Sequence, residues 1–184
     1  MTWTPGKNWT TGEVVNVWKL ETYLTGNLLS LRNLNDHACK VHAASSPPFD
    51  ISAQNADTPV PFRIVDWQVG TGVFSTANPT KFLAPIAGWY EVIPTAVWDF
   101  SSGGTRTLGY RLNGQAPYYD LHTGQTNNNS FRITNCGLDI VRMTTADFLE
   151  VVVKQNSADD GLDLITGETP DQTRCSWRLI GAAS

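Results

Sequence analysis

ADFLEVVVKQNS, residues 146–157, is the stretch on which the fold turns. Val151, Val152 and Val153 stand in a row behind Phe148 and Leu149, and β-branched residues so placed favour extended backbone. Runs of the same kind, split by turn signals, lie on both sides of it. PFRIVDWQV (61–69) reads as a strand, and Asn78–Pro79 marks a turn before a short strand at Lys81–Ala84. In GWYEVIPTAVWDF (88–100), Trp89, Glu91 and Ile93 point one way and Tyr90, Val92, Ala96, Trp98 and Phe100 the other. Pro94 interrupts that strand and predicts an edge or a bulge.

SSGG (101–104) turns the chain into TRTLGYRL (105–112), and Asn113–Gly114 predicts a hairpin into APYYDLHT (116–123). FRITNCGLDIVRM (131–143) is one strand or two broken at Gly137. TRCSWRLI (173–180) closes the series, Cys175, Trp177 and Leu179 alternating with Ser176, Arg178 and Ile180. Many short strands with no later helix predict a mainly β sandwich or barrel. The Cys…Trp…Cys order of an immunoglobulin domain is lacking, and a jelly roll fits the strand number better.

The 184-residue chain is long enough for one domain and a small appendage. Charged residues make up only 16% and the net charge is −4, with no basic cluster, which speaks against nucleic acid or an anionic membrane as partner. No apolar run is long enough to insert into a membrane. The opening residues MTWTPGKNWT lack a secretory leader, so the chain is expected to be made in the cytoplasm or released by assembly and lysis. Cys39, Cys136 and Cys175, an odd number without close pairs, read as buried free thiols and not as a disulfide or zinc framework.

Ahead of the strands, TTGEVVNVWKLETYLTGNLLSLRNLN (10–35) carries the one long helical pattern. Thr10 and Glu13 form a capping box. Val14, Val17, Leu20, Leu24, Leu28, Leu31 and Leu34 recur at spacings of three and four along one stripe. The stripe is too short to hold alone in water. It packs on its own sheet, on copies of itself around a symmetry axis, or on another protein, and self-association is favoured. Trp9, with Trp3 and Trp18, adds apolar area of the kind that interfaces use. The division expected is an anchor and oligomerisation helix over 1–35, a Ser- and Pro-rich linker or arm over 36–57 with room for a short strand at Val41–Ala43, and a β-domain over 58–184.

Candidate chemistry is sparse. No nucleophile elbow, zinc-protease, phosphate-loop or dinucleotide motif occurs. His122 and Asp120 share a strand face but no motif supplies a nucleophile. Glu91, Asp99, Asp139, Asp147 and Glu150 could be paired for sugar hydrolysis only arbitrarily. His37, Cys39 and His42 read as loop residues and not as metal ligands. The loop SADDGLD (157–163) offers Asp159, Asp160 and Asp163 to calcium, but a solvated turn is the plainer reading, so no catalytic, metal or cofactor residue is assigned. The adjacent Tyr118 and Tyr119 place one ring outward, on a trimer seam or a ligand surface.

Two resemblances follow. WTTGEVVNVWKLETYLTGNLLSL (9–31) resembles the opening of many tailed-bacteriophage structural proteins, with Leu20–Glu21 in place of the usual Leu-Asn while Tyr23, Leu24, Asn27 and Leu28 keep the pattern. FLAPIAGWYEVIPTAVW (82–98), RLNG (111–114) and TADFLEVVVKQNS (145–157) resemble the C1q/TNF-like jelly roll. Gly88, Tyr90, Asn113, Gly114, Asp147, Phe148, Val151, Val153 and Gln155 sit on the positions of that family, and Ala146 replaces its glycine, so that turn is expected to differ. The second resemblance covers about residues 60–182 and implies a trimer that binds protein or carbohydrate and has no catalytic centre. Together they imply a homotrimeric virion component, a fibre, tail appendage or capsid decoration. Its N-terminus would join other phage proteins and its head would face outward for host attachment, to a surface glycan or protein. A head, neck or tail assembly protein without a receptor is the alternative, and a glycan-degrading enzyme a distant third.

Overall fold

The valine run becomes one strand of a two-sheet sandwich. The structure, a computed structural model, describes residues 37–44, 49–51, 55–98, 104–115, 119–126, 133–156, 162–164 and 172–182. The expected helix and its stripe, with Trp9, Val14, Val17, Leu20, Leu24, Leu28 and Leu31, lie outside these residues, as does Tyr118. The strands in chain order are β1 Ala38–His42, β2 Phe49–Ile51, β3 Thr58–Pro59, β4 Ile64–Val69, β5 Phe82–Leu83, β6 Gly88–Trp98 and β7 Gly104–Leu112. They continue with β8 Tyr119–Thr126, β9 Ile133–Cys136, β10 Asp139–Met143, β11 Phe148–Gln155, β12 Leu162–Leu164 and β13 Arg174–Ala182.

The larger sheet runs β2-β12-β6-β13-β1-β4, with β9 and β10 also pairing β6. The smaller runs β3-β11-β7-β8, with β5 also pairing β11. Inward residues of the two sheets interleave between them. Trp98, Trp177 and Tyr90 come from the larger sheet, Leu108, Leu149, Val151 and Val153 from the smaller, and all are buried. Tyr90 stacks on Trp177 with ring centroids 4.7 Å apart, and Phe82 approaches the same indole at 5.9 Å. Gln155 bridges the layers, its Nε2 donating to the Ile51 carbonyl at 3.2 Å.

Four expectations are corrected. First, the stretch read as linker, 36–57, supplies two strands: the short one expected at Val41–Ala43 runs over Ala38–His42 as the interior strand β1, between β13 and β4, and β2 follows. Cys39 and Val41 are fully buried there, and two apolar residues alternating with Lys40 are enough for so short a strand. Second, Pro94 lies within an interior strand, opposite Cys175 of β13. A strand residue directs its N–H and C=O to the same edge, and the Pro94 carbonyl accepts from Gly137 N at 3.2 Å. The missing N–H therefore faces the gap where β9 ends and β10 begins, so no ladder bond is lost. Only glycine fits at the break, because a Cβ at Gly137 would lie 2.5 Å from Leu121 Cβ. Third, Leu162–Leu164 is a strand joining β2 to β6, so the last two residues of the stretch read as a turn, 157–163, are extended. Fourth, Cys136 is exposed, beside the Thr95 hydroxyl, whereas Cys39 and Cys175 are buried free thiols. Burial pushes the Cys39 thiol up to about 12 and the Cys175 thiol well above its ordinary value, so both stay protonated.

The turn before β11 keeps a left-handed backbone despite its alanine: Ala146 has φ +75°. That conformation costs an L-residue about 1–2 kcal/mol, of which a glycine's greater unfolded freedom would take back about 0.4–1. Ala146→Gly is therefore expected to stabilise the fold by about 0.5–1 kcal/mol, read from the urea midpoint at unchanged slope.

Asp147 closes the same turn. Its Oδ2 accepts from the Thr144 amide and hydroxyl, both at 2.7 Å, and its Oδ1 from Asn113 Nδ2 at 2.8 Å. Asn113 in turn accepts from the Phe148 amide at 2.9 Å, so the hairpin turn after β7 is tied to the start of β11. The Thr144 amide, then the Thr144 hydroxyl and the Asn113 amide hold the Asp147 carboxyl below its ordinary 3.8. A carboxylate so held stabilises the fold above that ordinary value and ceases to as pH falls through the lowered one. Asp147→Ala is expected to cost about 1–2 kcal/mol at neutral pH, and the difference from wild type shrinks as pH falls through the lowered value. Urea titrations at several pH values measure this.

Candidate functional site

The outward side of the larger sheet holds the most exposed apolar surface among the described residues. Trp67 and Val69 on β4, Trp89 on β6 and Ile140 on β10 are all exposed, as is Leu138 between β9 and β10. Trp67 is 47% and Trp89 45% accessible, an unusual state for indoles that contribute so much apolar area when covered.

Strand register explains the layout. One row crosses five strands: Ile140 opposite Glu91, Glu91 opposite Arg178, Arg178 opposite Ala38, and Ala38 opposite Val69. Its middle is an ion pair, Arg178 Nε donating to Glu91 Oε2 at 2.5 Å. Apolar side chains therefore occupy both ends of the row with charge between them. Trp89 stands opposite Gly181, whose missing side chain leaves room for the indole. At the far end a β-bulge between Lys40 and Val41 brings Asp66 to His42 Nδ1 at 2.6 Å and to Lys40 Nζ at 3.6 Å. His42 thus lies in a strand beside a carboxylate and not in a loop, and Cys39 points away from it into the core.

Of the other residues singled out in the sequence, Tyr119 is 51% exposed and stacks on Tyr110, centroids 5.0 Å apart. Tyr110 donates to Asp139 Oδ2 at 2.7 Å, and burial followed by that carboxylate raises its own pKa. Of the carboxylates weighed for sugar hydrolysis, the four that are described each have a partner: Glu91 has Arg178, Asp139 has Tyr110, and Asp147 has Thr144 and Asn113. Glu150 is held by Arg111 Nε at 2.7 Å and by the Thr80 hydroxyl at 3.2 Å. Asp120 and His122 straddle a register shift in β8 and are both exposed. Among the described residues no three metal-ligating side chains converge. Asp99, Asp159 and Asp160 lie outside the described residues.

The sequence did not mark the larger sheet's face as a surface. Aromatic content shows burial in general and not which face is covered. The available signal was alternation in β6, which sets Trp89 apart from Tyr90 and Val92.

No family model matches the chain, and no curated protein matches it in sequence. Solved structures do match in shape. The Eiger TNF of S. frugiperda superposes with a TM-score of 0.55 at 13% identity, over 82% of this chain and 96% of that one. The globular domain of zebrafish complement 1qA gives 0.51 at 15% identity, over 80% and 99%. Murine APRIL gives 0.53 at 11% identity, over 78% and 98%. Identities this low speak to architecture alone. The described strands form a TNF/C1q-like jelly roll.

Proposed function

We propose that this chain is a homotrimeric virion protein of a tailed bacteriophage, acting by binding and not by turnover, with the jelly roll as its outward head. The observation that carries the assembly is the apolar surface at both ends of the larger sheet's open face. Four strand spacings, about 19 Å, separate β10 from β4. Two patches that far apart on one face favour a head-to-tail contact, the Trp89–Ile140 end of one copy meeting the Trp67–Val69 end of the next, and such contacts close into rings. The TNF/C1q-like fold supports a threefold ring, which is what the sequence resemblance implies. The virion assignment is supported by the phage-like pattern over residues 9–31, and the helix predicted there would join the head to other virion proteins.

A reconstruction of the phage particle tests the proposal. The expected result is density for three copies about an axis, larger sheets inward and residues 1–35 toward the particle. Finding the chain only in the soluble fraction of infected cells overturns it. Heads packed against neighbouring virion proteins, with no outward surface, would favour the assembly role without a receptor.

A further inference from the structure

The smaller sheet carries a polar groove on its outward side, of about 270 Å³. Its floor is one cross-strand row: Thr107 of β7 lies opposite Thr123 of β8 and opposite Lys154 of β11. The Thr123 hydroxyl donates to the Thr107 hydroxyl at 3.4 Å. Asp120 borders one side, and Asn55 and Asn156 the other. Both amide residues are held in place. Asn156 Oδ1 accepts from the Thr105 amide at 2.5 Å, and the Asn55 amide donates to the Gln155 carbonyl at 2.7 Å with Asn55 in the left-handed region.

We propose that this groove binds one ring of a neutral saccharide; the biological sense of the site rests on the reading of the jelly roll as an outward binding head. Threonine hydroxyls both donate and accept, side-chain amides do the same, and a carboxylate can accept from two vicinal hydroxyls at once. Such a mixed set matches a polyhydroxylated ligand and neither an anion nor a cation, because the single carboxylate and the single ammonium of the lining cancel. The volume is at the small end for ligand sites and admits one ring, not an oligomer. A peptide strand is disfavoured. It would need open backbone groups, whereas the groove lies across the face of β8, β7 and β11, whose ladders pair with one another. One weakly held ring per copy suffices, since three copies on one particle appendage multiply the effective affinity.

Saturation-transfer NMR on the full chain with glucose, galactose, mannose and N-acetylglucosamine at millimolar concentration tests the site. At least one of these sugars is expected to receive saturation. Asp120→Ala should weaken binding roughly tenfold to a hundredfold, and Thr123→Val should also weaken it, while Arg63→Ala, exposed and away from the groove, should leave it unchanged. Both groove positions are accessible surface, so folding is not at stake, and far-UV circular dichroism verifies this. No transfer to any of the four sugars overturns the proposal. So does transfer that survives Asp120→Ala and Thr123→Val or is lost with Arg63→Ala, and so does binding of an extended peptide in place of sugar. Light scattering on the same samples separates the two ideas. A trimer that binds no sugar overturns the groove alone, and a monomer that binds sugar through Asp120 supports the groove while removing the assembly.

Discussion

Replacing Trp67 and Trp89 together by glutamate is expected to lower the mass in solution from three chains to one while the sandwich stays folded. Each indole is about half exposed in the single chain, so the substitutions leave no cavity in the core. In the ring each would be covered at every interface, and tryptophans at the centre of an interface commonly carry about 2 kcal/mol or more apiece. Two such losses at each of three interfaces amount to about 12 kcal/mol, many powers of ten in the assembly constant, even before the carboxylates' desolvation is counted. Multi-angle light scattering gives the mass, against 20.2 kDa for one chain, and near-ultraviolet circular dichroism reports the packed core. A variant that remains trimeric would move the interface elsewhere. A variant that loses its core signal would mean that Trp67 or Trp89 supports the fold.

The second large effect lies in the core. Trp177→Ala is expected to cost about 3–5 kcal/mol, a large share of the 5–15 kcal/mol that holds a domain of this size. Trp177 is 1% exposed and lies against both Tyr90 and Phe82, one from each sheet, so its loss opens a cavity between the layers. Trp177→Phe keeps a ring and removes an indole N–H that has no hydrogen-bond partner among the described residues, and it is expected to cost under about 2 kcal/mol. Urea denaturation ranks the three proteins. Equal midpoints for the alanine variant and wild type would mean that the sandwich does not close over this side chain.

The strands that proved easiest to read were those whose alternation spans many residues. In β6 and β13 a period of two separates Tyr90, Val92, Cys175, Trp177 and Leu179 inside from Trp89, Glu91, Ser176 and Arg178 on the open side. Strand β1 was harder because its pattern is five residues long and lies next to Pro47–Pro48. Pro94 misled because the rule against proline in a central strand is local, whereas the gap that accommodates it belongs to the partner strands. Arg106 is fully buried in the sandwich, its guanidinium 5.7 Å from the Trp98 ring and donating to the Thr105 carbonyl. No local pattern predicts a cation there, because the Trp98 ring that faces it comes from the other sheet. The groove was hidden for the same reason: its hydroxyls, amides and carboxylate sit on β7, β8, β11 and the turn at Asn55. The outer face of the larger sheet was half legible, with Trp89 placed outward by alternation and Trp67 brought to the far end of the same face only by the bulge in β4.

Oxidative footprinting of tryptophans in the intact chain, read by peptide mass, puts the covered sheet face to the test most directly. Trp98 and Trp177 are buried within each sandwich and serve as internal standards. If copies meet through the larger sheet, Trp67 and Trp89 resist oxidation nearly as well as those two and become reactive on dilution below the assembly threshold. If both are oxidised at every concentration, as half-exposed indoles of a solitary domain would be, the face is open and the trimer is not built on it.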